Sequence, residues 1–373
     1  MDKIAVIFGT RPEAIKMAPV IKTLQKYPKR FKIIICLTAQ HRDLLDEVLR
    51  LFEIRADYDL DIMEENQSPF EVTSKGLLGV RGILKKENPD FVLVQGDTTN
   101  AFTSALAAFY LKIPVGHIEA GLRTNDKFQP FPEEINRRLI SQIADFHFAP
   151  AKQAEENLIS EGIPKDRVFL TGNTVIDALF YISRKVKDLK ILTKRLSFLR
   201  HQPSARLILV TAHRRENFNA PLRNICLALK KIVSRNNDLI VVYPLHPNPN
   251  VKGPVEKILG KINRIKLIPP LDYASFVYLM SRAYLILTDS GGIQEEATAL
   301  GKPLLIMREK TERPEAIREG VAKLVGTDID SIVRNAEILL NSKKTYKSMA
   351  KMVYPFGNGK AAEKIIKIIK DKI

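Results

Sequence analysis

The residues best suited to chemistry in this chain are acidic. Asp97 follows the apolar run FVLVQG, Glu119 closes PVGHIE, and Glu133 and Glu134 stand between Phe131-Pro132 and the helical pattern INRRLISQIA. His213 follows a further apolar run, RLILVTA. In an open parallel sheet, ligands bind beyond the carboxyl ends of the strands, so groups placed there from separate segments converge on one crevice. Closely grouped carboxylates push at least one pKa upward, which lets one act as acid while another acts as base. The pattern predicts an acid/base centre facing a nucleotide.

The nucleotide is read from ILTDSGGIQEEATALGKP, where a buried strand over Ala283–Thr288 runs through Asp289, Ser290, Gly291 and Gly292 into a helix beginning near Ile293. Small residues there let backbone N–H groups approach an anion, and the helix dipole adds about half a positive charge. A diphosphate fits. Glu296 lies about one turn into that helix, where its carboxylate can accept from both ribose hydroxyls. After the next strand, Arg308, Thr311, Glu312 and Arg313 suit phosphate charge. In the first segment, IFGTRPEAIKMAPV, Gly9 permits a turn, Thr10 is placed as an N-cap, and Arg11 projects from the helix start beside Pro12. No G-x-G-x-x-G follows the first strand, which argues against bound NAD.

Each candidate also has a plain structural reading. Asp97, ahead of Thr98 and Thr99, could simply cap the next helix, and helix-start acidity explains one of Glu133 and Glu134. Glu119 has no local cap to serve. His213 sits among Arg214, Arg215 and Glu216, and His246 ends the next strand similarly in YPLHPNPN. No regular metal-ligand spacing occurs, so neither a metal nor an organic cofactor is expected.

These residues need two scaffolds. Apolar, β-branched runs alternate with helical patterns at 4–8, 31–38, 91–96, 114–119, 146–150 and 168–172. After a charged helical stretch over Leu179–Leu199, the rhythm restarts at 206–212, 239–244, 265–270, 283–288, 302–307 and 322–326. The expected class is α/β: two Rossmann-like domains whose parallel sheets face a central cleft. Residues 1–172 form the first, with the carboxylates, and 173–355 the second, with the nucleotide site. Residues 356–373 form a helix whose Ile365, Ile366, Ile369 and Ile373 share one face and pack back on the first domain.

Composition narrows the classes. At 373 residues the chain is long for one core. The net charge of +17 is spread along the sequence with glutamates interleaved, which reads as a solvated surface and not a nucleic-acid arm. No stretch approaches the roughly 18 apolar residues of a membrane span. Cys36 and Cys226, far apart and in apolar surroundings, suggest no disulfide framework and a cytoplasmic setting.

GTRPEAIKMAPV, GDTT, HIEAGLRT, PFPEEINR, TAHRREN, HPNPNV, DSGGIQEEA and TERPEA occur in this order over nearly the whole chain, which resembles the non-hydrolysing UDP-N-acetylglucosamine 2-epimerases. The resemblance implies a GT-B-type fold, a homodimer, and an isomerase interconverting UDP-GlcNAc and UDP-ManNAc for polysaccharide precursors. It places catalytic roles on Asp97, Glu119, Glu133 and His213. It places UDP contacts on Arg11, Phe276, Ser290, Gly291, Gly292, Glu296 and Arg313, with Lys16 a further candidate. Members with a regulatory UDP-GlcNAc site use positions matching Gln40, Glu134, Arg214 and His246, although Asp43 and Asn66 depart from that pattern. Gln95, Leu271 and the segment YPFGNGKA also depart from the family's usual residues, all expected beside the chemistry and not in it.

Inverting C2 of an N-acetylhexosamine without a redox cofactor requires expelling UDP from C1, so that charge developing on the ring makes the C2 proton removable. A hydrolysing epimerase, releasing ManNAc and UDP, or a GT-B glycosyltransferase with a separate acceptor would share the nucleotide site.

Overall fold

The computed structural model describes residues 1–38, 42–62, 67–186, 194–201 and 204–373. The chain folds as two compact units, Met1–Phe180 with Pro355–Ile373, and Tyr181–Tyr354. The first boundary falls inside a helix rather than after Gly172, because that helix carries on from the last strand and binds the returning C-terminal segment.

The first unit runs β1 (Asp2–Phe8), α1 (Arg11–Leu24), β2 (Phe31–Leu37), α2 (Arg42–Leu51), β3 (Tyr58–Asp59), α3 (Pro69–Glu87), β4 (Phe91–Gln95), α4 (Thr99–Tyr110), β5 (Val115–Ile118), α5 (Glu133–Ile143), β6 (Phe146–Ala149), α6 (Lys152–Ser160), β7 (Val168–Leu170) and α7 (Thr174–Lys185). Its strands pair in parallel in the order β3-β2-β1-β4-β5-β6-β7. The central strands are buried on both faces, as their unbroken apolar runs require. The two-residue β3 has too little apolar sequence to be read from pattern. The order reverses between β1 and β4, so the crevice for a ligand lies where the turns after these strands part.

The second unit runs β8 (Arg206–Thr211), α8 (Ala220–Arg235), β9 (Leu239–Pro244), α9 (Pro249–Leu259), β10 (Ile265–Ile268), α10 (Tyr273–Arg282), β11 (Leu285–Thr288), α11 (Gly291–Ala299), β12 (Leu304–Ile306), α12 (Glu315–Arg318), β13 (Ala322–Leu324), α13 (Ile329–Asn341) and α14 (Lys343–Met349). Its parallel order is β10-β9-β8-β11-β12-β13, with the reversal between β8 and β11.

The C-terminal helix α15 (Ala361–Lys372) belongs to the first unit and packs against α1. Ile365, Ile366 and Ile369 are buried, whereas Ile373 is half-exposed at the chain end. Asp177 of α7 accepts from the backbone N–H groups of Ala361 and Ala362 at 3.1 and 2.9 Å, serving as this helix's cap from a distant element. Burial pushes the Asp177 carboxyl up to about 6. Before the helix, Phe356 C=O accepts from Asn173 N–H at 2.6 Å. Gly172 (φ +90°) brings its backbone so close that a Cβ there would lie 2.9 Å from the α-carbon of Gly357.

Candidate active site

The first unit's candidates stand at the carboxyl edge of its sheet, around the reversal. Thr10 caps α1, and Glu13 completes a capping box, so Arg11 opens the helix as expected. Glu13 does more. It accepts from the Gly9 and Thr10 N–H groups at 2.9 and 2.7 Å and from the Thr98 hydroxyl at 2.6 Å, locking the turn after β1 to the turn after β4. Burial raises its pKa against the pull of those donors. Thr98 is the N-cap of α4, accepting from Ala101 N–H at 3.0 Å. Asp97 therefore does not cap that helix: its carboxylate is paired with the buried Arg137 of α5. Asn136 donates to Asp97 C=O at 3.0 Å, so the first turns of α5 lie against Asp97. Glu133 heads this helix with Oε2 buried.

Glu119, directly after β5, lies in the left-handed region at φ 64°, a conformation that costs a non-glycine residue about 1–3 kcal/mol and that clusters at functional sites. The bend turns its carboxylate onto three donors. Oε2 accepts from Gln95 Nε2 at 3.0 Å and Asn173 Nδ2 at 3.1 Å, and forms an ion pair with Lys16 of α1. Gln95, expected beside the chemistry, thus touches the carboxylate directly. Lys16, a UDP candidate by resemblance, meets Glu119. The YPFGNGKA segment acts one bond further away, because Phe356 holds the Asn173 backbone. His117, on the same face of β5, is completely buried and bonds through Nε2 to Gly96 C=O at 2.7 Å, fixing the turn into Asp97. Burial pushes this imidazole down to about 3, so it is neutral at pH 7 and Nε2–H is the donor.

Glu134 joins this group through Arg137, whose Nη1 lies 3.4 Å from its Oε2. It is fully buried and accepts from Thr124 N–H at 3.0 Å, Asn125 N–H at 3.3 Å and Arg138 Nε at 3.1 Å, which latches the loop before α5. Gln40 and Asn66 lie outside the described residues.

In the second unit, His213 follows β8 and the Ser290–Gly292 bend follows β11, again flanking the reversal. Helix α11 starts at Gly291, earlier than expected, with Ser290 as an N-cap that makes no side-chain capping bond. A Cβ on Gly292 would meet nothing within 4 Å, so the helix N-terminus opens onto space there. A Cβ on Gly291 would lie 2.6 Å from Arg313 Nη1, which shows how closely that guanidinium overlies the first turn. Arg313 is held in place by buried Glu295. Arg308, which the sequence suited to phosphate charge, is taken up by Glu216 at 2.6 Å and Glu312 at 2.9 Å. Burial raises the Glu312 carboxyl, but Arg313, Arg308 and Arg214 outweigh it and draw it down to about 2. Glu296 accepts from the Tyr273 hydroxyl at 2.8 Å, and Phe276 lies half-buried one turn later on α10. The His213 ring is exposed and stacks on His246 with centroids 5.4 Å apart.

Sequence reading missed Arg137, Asn173, Glu13 and His117. Only Glu13 left a local signal, the T-x-x-E capping box; the others act across long sequence separations. Cys36 and Cys226 are both free and buried. Among the described residues no His, Cys, Asp and Glu group could hold a metal, and no helix is long and apolar enough to cross a membrane.

Two Rossmann-like parallel sheets, one edged with carboxylates and the other with a helix N-terminus and cations, define a nucleotide-sugar class of the GT-B type of fold. A family model described as UDP-N-acetylglucosamine 2-epimerase matches residues 22–370. The Campylobacter jejuni UDP-N-acetylglucosamine 2-epimerase is 50% identical over 99% of this chain and 97% of its own length. The crystal structure of the Neisseria meningitidis UDP-GlcNAc 2-epimerase bound to UDP-GlcNAc has a TM-score of 0.95 at 48% identity, covering 99% of this chain and 100% of that one. The Methanocaldococcus jannaschii UDP-GlcNAc 2-epimerase in complex with UDP-GlcNAc and UDP has a TM-score of 0.84 at 35% identity, covering 99% of each chain. The chain belongs to the UDP-N-acetylglucosamine 2-epimerase family.

Proposed function

We propose that this chain is an isomerase that interconverts UDP-GlcNAc and UDP-ManNAc by the non-hydrolysing route. The C1–O bond breaks with its electrons passing to the departing UDP oxygen. A carboxylate of the first unit takes the C2 proton, and the C–H electrons form the C1=C2 bond of a 2-acetamidoglucal. A carboxylic acid then returns a proton to the opposite face of C2, and UDP re-adds at C1. Asp97, Glu119 and Glu133 carry the proton steps and steady the cationic ring. Arg11, Arg313 and the α11 N-terminus hold UDP, Glu296 and Phe276 hold its nucleoside, and His213 bonds or protonates a phosphate oxygen.

One observation supports this reading: Asp97 and Glu119 follow the neighbouring strands β4 and β5 beside the first sheet's reversal, while the open helix start that Arg313 overlies follows β11 at the reversal of the second. Elimination needs carboxylates to move the C2 proton as well as an anion site for the leaving UDP, and simple glycosyl transfer does not need the former. The test is proton NMR of the purified protein with UDP-GlcNAc in deuterium oxide. Expected are UDP-ManNAc and deuterium at C2. Epimerisation without exchange would rule out the proton route, accumulating free ManNAc would favour hydrolysis, and sugar turnover only on adding an acceptor would favour a transferase.

The active species is a homodimer in this reading. The packed helices α3, α4 and α5 keep Phe70, Leu78, Phe109, Tyr110 and Leu139 exposed, apolar side chains that a second copy would cover in this reading. Light scattering should give twice 42.2 kDa. The nucleotide-sugar substrate and two free thiols suit a reducing cytoplasm. A regulatory UDP-GlcNAc would use Arg214 and His246 beside His213, and would show as sigmoidal substrate dependence.

A further inference from the structure

Asp289 is completely buried, yet its two oxygens are treated very differently. Oδ2 accepts from the backbone N–H groups of His213 at 2.8 Å and Arg214 at 2.9 Å, and from Asn217 Nδ2 at 3.0 Å. Oδ1 is buried with no hydrogen bond, and the ring nitrogen facing it is His213 Nδ1, 3.8 Å away. A buried carboxylate oxygen left unsatisfied costs more than a neutral group would, so its retention calls for a reason. Three bonds to Oδ2 fix the carboxylate against the backbone of the very residue whose ring Oδ1 faces. A small rotation of the His213 ring would close 3.8 Å to hydrogen-bond distance.

We infer that Asp289 is the positioning residue of His213: its Oδ1 accepts Nδ1–H, selects the tautomer and steadies the imidazolium while Nε2–H serves the departing phosphate. The inference rests on the reading of His213 given above. As the C1–O bond breaks, Nε2 donates its hydrogen bond, or its proton, to the phosphate oxygen; on re-addition the proton returns to Nε2. Asp289 itself gains no proton, the division of labour of an aspartate–histidine pair in general acid/base catalysis. Tyr243 supports the arrangement from below, donating its hydroxyl to Ala212 C=O at 2.6 Å and holding the residue before His213.

Asp289→Asn isolates this role, since an amide oxygen still accepts from the His213 and Arg214 N–H groups while the charge is lost. Expected is a fall in kcat of about 100-fold with KM and UDP affinity unchanged. In a His213→Ala background the same substitution should cost nothing further, because groups acting as one unit are non-additive. Unchanged kcat in Asp289→Asn, or losses that multiply in the double variant, would overturn the inference. Full activity of His213→Ala alone would instead overturn the reading of His213, and is seen separately. Nitrogen-15 NMR of the wild-type protein with UDP gives a check independent of any variant: Nδ1 of His213 should resonate as a protonated nitrogen, and an unprotonated Nδ1 would contradict the pairing.

Discussion

Lys16 of α1 and Glu119 at the end of β5 form an ion pair across the carboxyl edge of the first sheet, with the Glu119 side chain only 7% exposed. Gln95 and Asn173 bond the same oxygen, Oε2. The strained backbone of Glu119 is therefore repaid by three donors that aim its carboxylate. Loss of one donor leaves two, and loss of the carboxylate leaves a half-buried ammonium facing an amide.

Glu119→Gln should accordingly lose turnover by about two orders of magnitude or more while still binding UDP, the scale of an acid/base group. Lys16→Met should lose less, about tenfold, because Gln95 and Asn173 still orient the carboxylate. Steady-state kinetics with UDP calorimetry checks both. A Lys16 variant worse than the Glu119 variant would mean that Lys16 acts on the substrate itself.

Acid should destabilise the protein through two histidines. Burial pushes His117 down to about 3 and His147 to about 4 from an ordinary 6.5. In acid the unfolded chain takes up these protons and the folded one refuses them. Their contribution is fully present above about pH 6.5 and is lost as pH falls toward 4, at up to about 1.4 kcal/mol per pH unit for each group. Thermal melts from pH 7 to 4.5 should fall steeply for the wild type and less steeply for His147→Phe. Parallel slopes would show that these rings do not govern the decline.

Gly291→Ala tests the nucleotide end. The new Cβ would stand 2.6 Å from Arg313 Nη1 and 3.0 Å from Cζ, so the guanidinium must move off the first turn of α11. UDP affinity should drop about tenfold, or roughly 1.4 kcal/mol, and because Nε of the displaced guanidinium also carries the bond to Glu295, the melting temperature should fall as well. Gly292→Ala, with open space around it, should leave the melting temperature unchanged and is the control for stability alone, since Gly292 is itself a UDP candidate.

Much of this was legible beforehand, for a physical reason. Strands buried on both faces must be continuously apolar, so β1, β4, β8 and β11 announce themselves, and the residues just after them are site candidates by topology. Arg137, Asn173 and Asp289 gave no such signal. Each works by reaching an element far away in sequence: Arg137 to Asp97, Asn173 to Glu119, and Asp289 to the backbone of His213. Arg308 misled in the opposite direction, since a strand-end arginine suits phosphate equally well as it suits Glu216 and Glu312. Pattern locates the edge of a sheet but does not say which charges there are already spent on one another.

The tie between α7 and α15 gives a pH effect opposite to that of the histidines. Asp177 accepts the first two N–H groups of α15, yet burial dominates and holds its carboxyl near 6, above an ordinary 3.8. Its contribution to stability is thus fully present below about pH 3.8 and is lost as pH rises through about 6. Asp177→Asn, neutral throughout and still able to accept one N–H, should gain on the wild type as pH rises from 5 to 7.5. Asp177→Ala removes the cap and should cost about 1 kcal/mol at pH 5, with faster hydrogen exchange at Ala361 and Ala362. Paired melts of wild type and Asp177→Asn decide the matter. A difference that shrinks with rising pH would mean that the ionised carboxylate, through its two bonds to the helix start, is the more stable form.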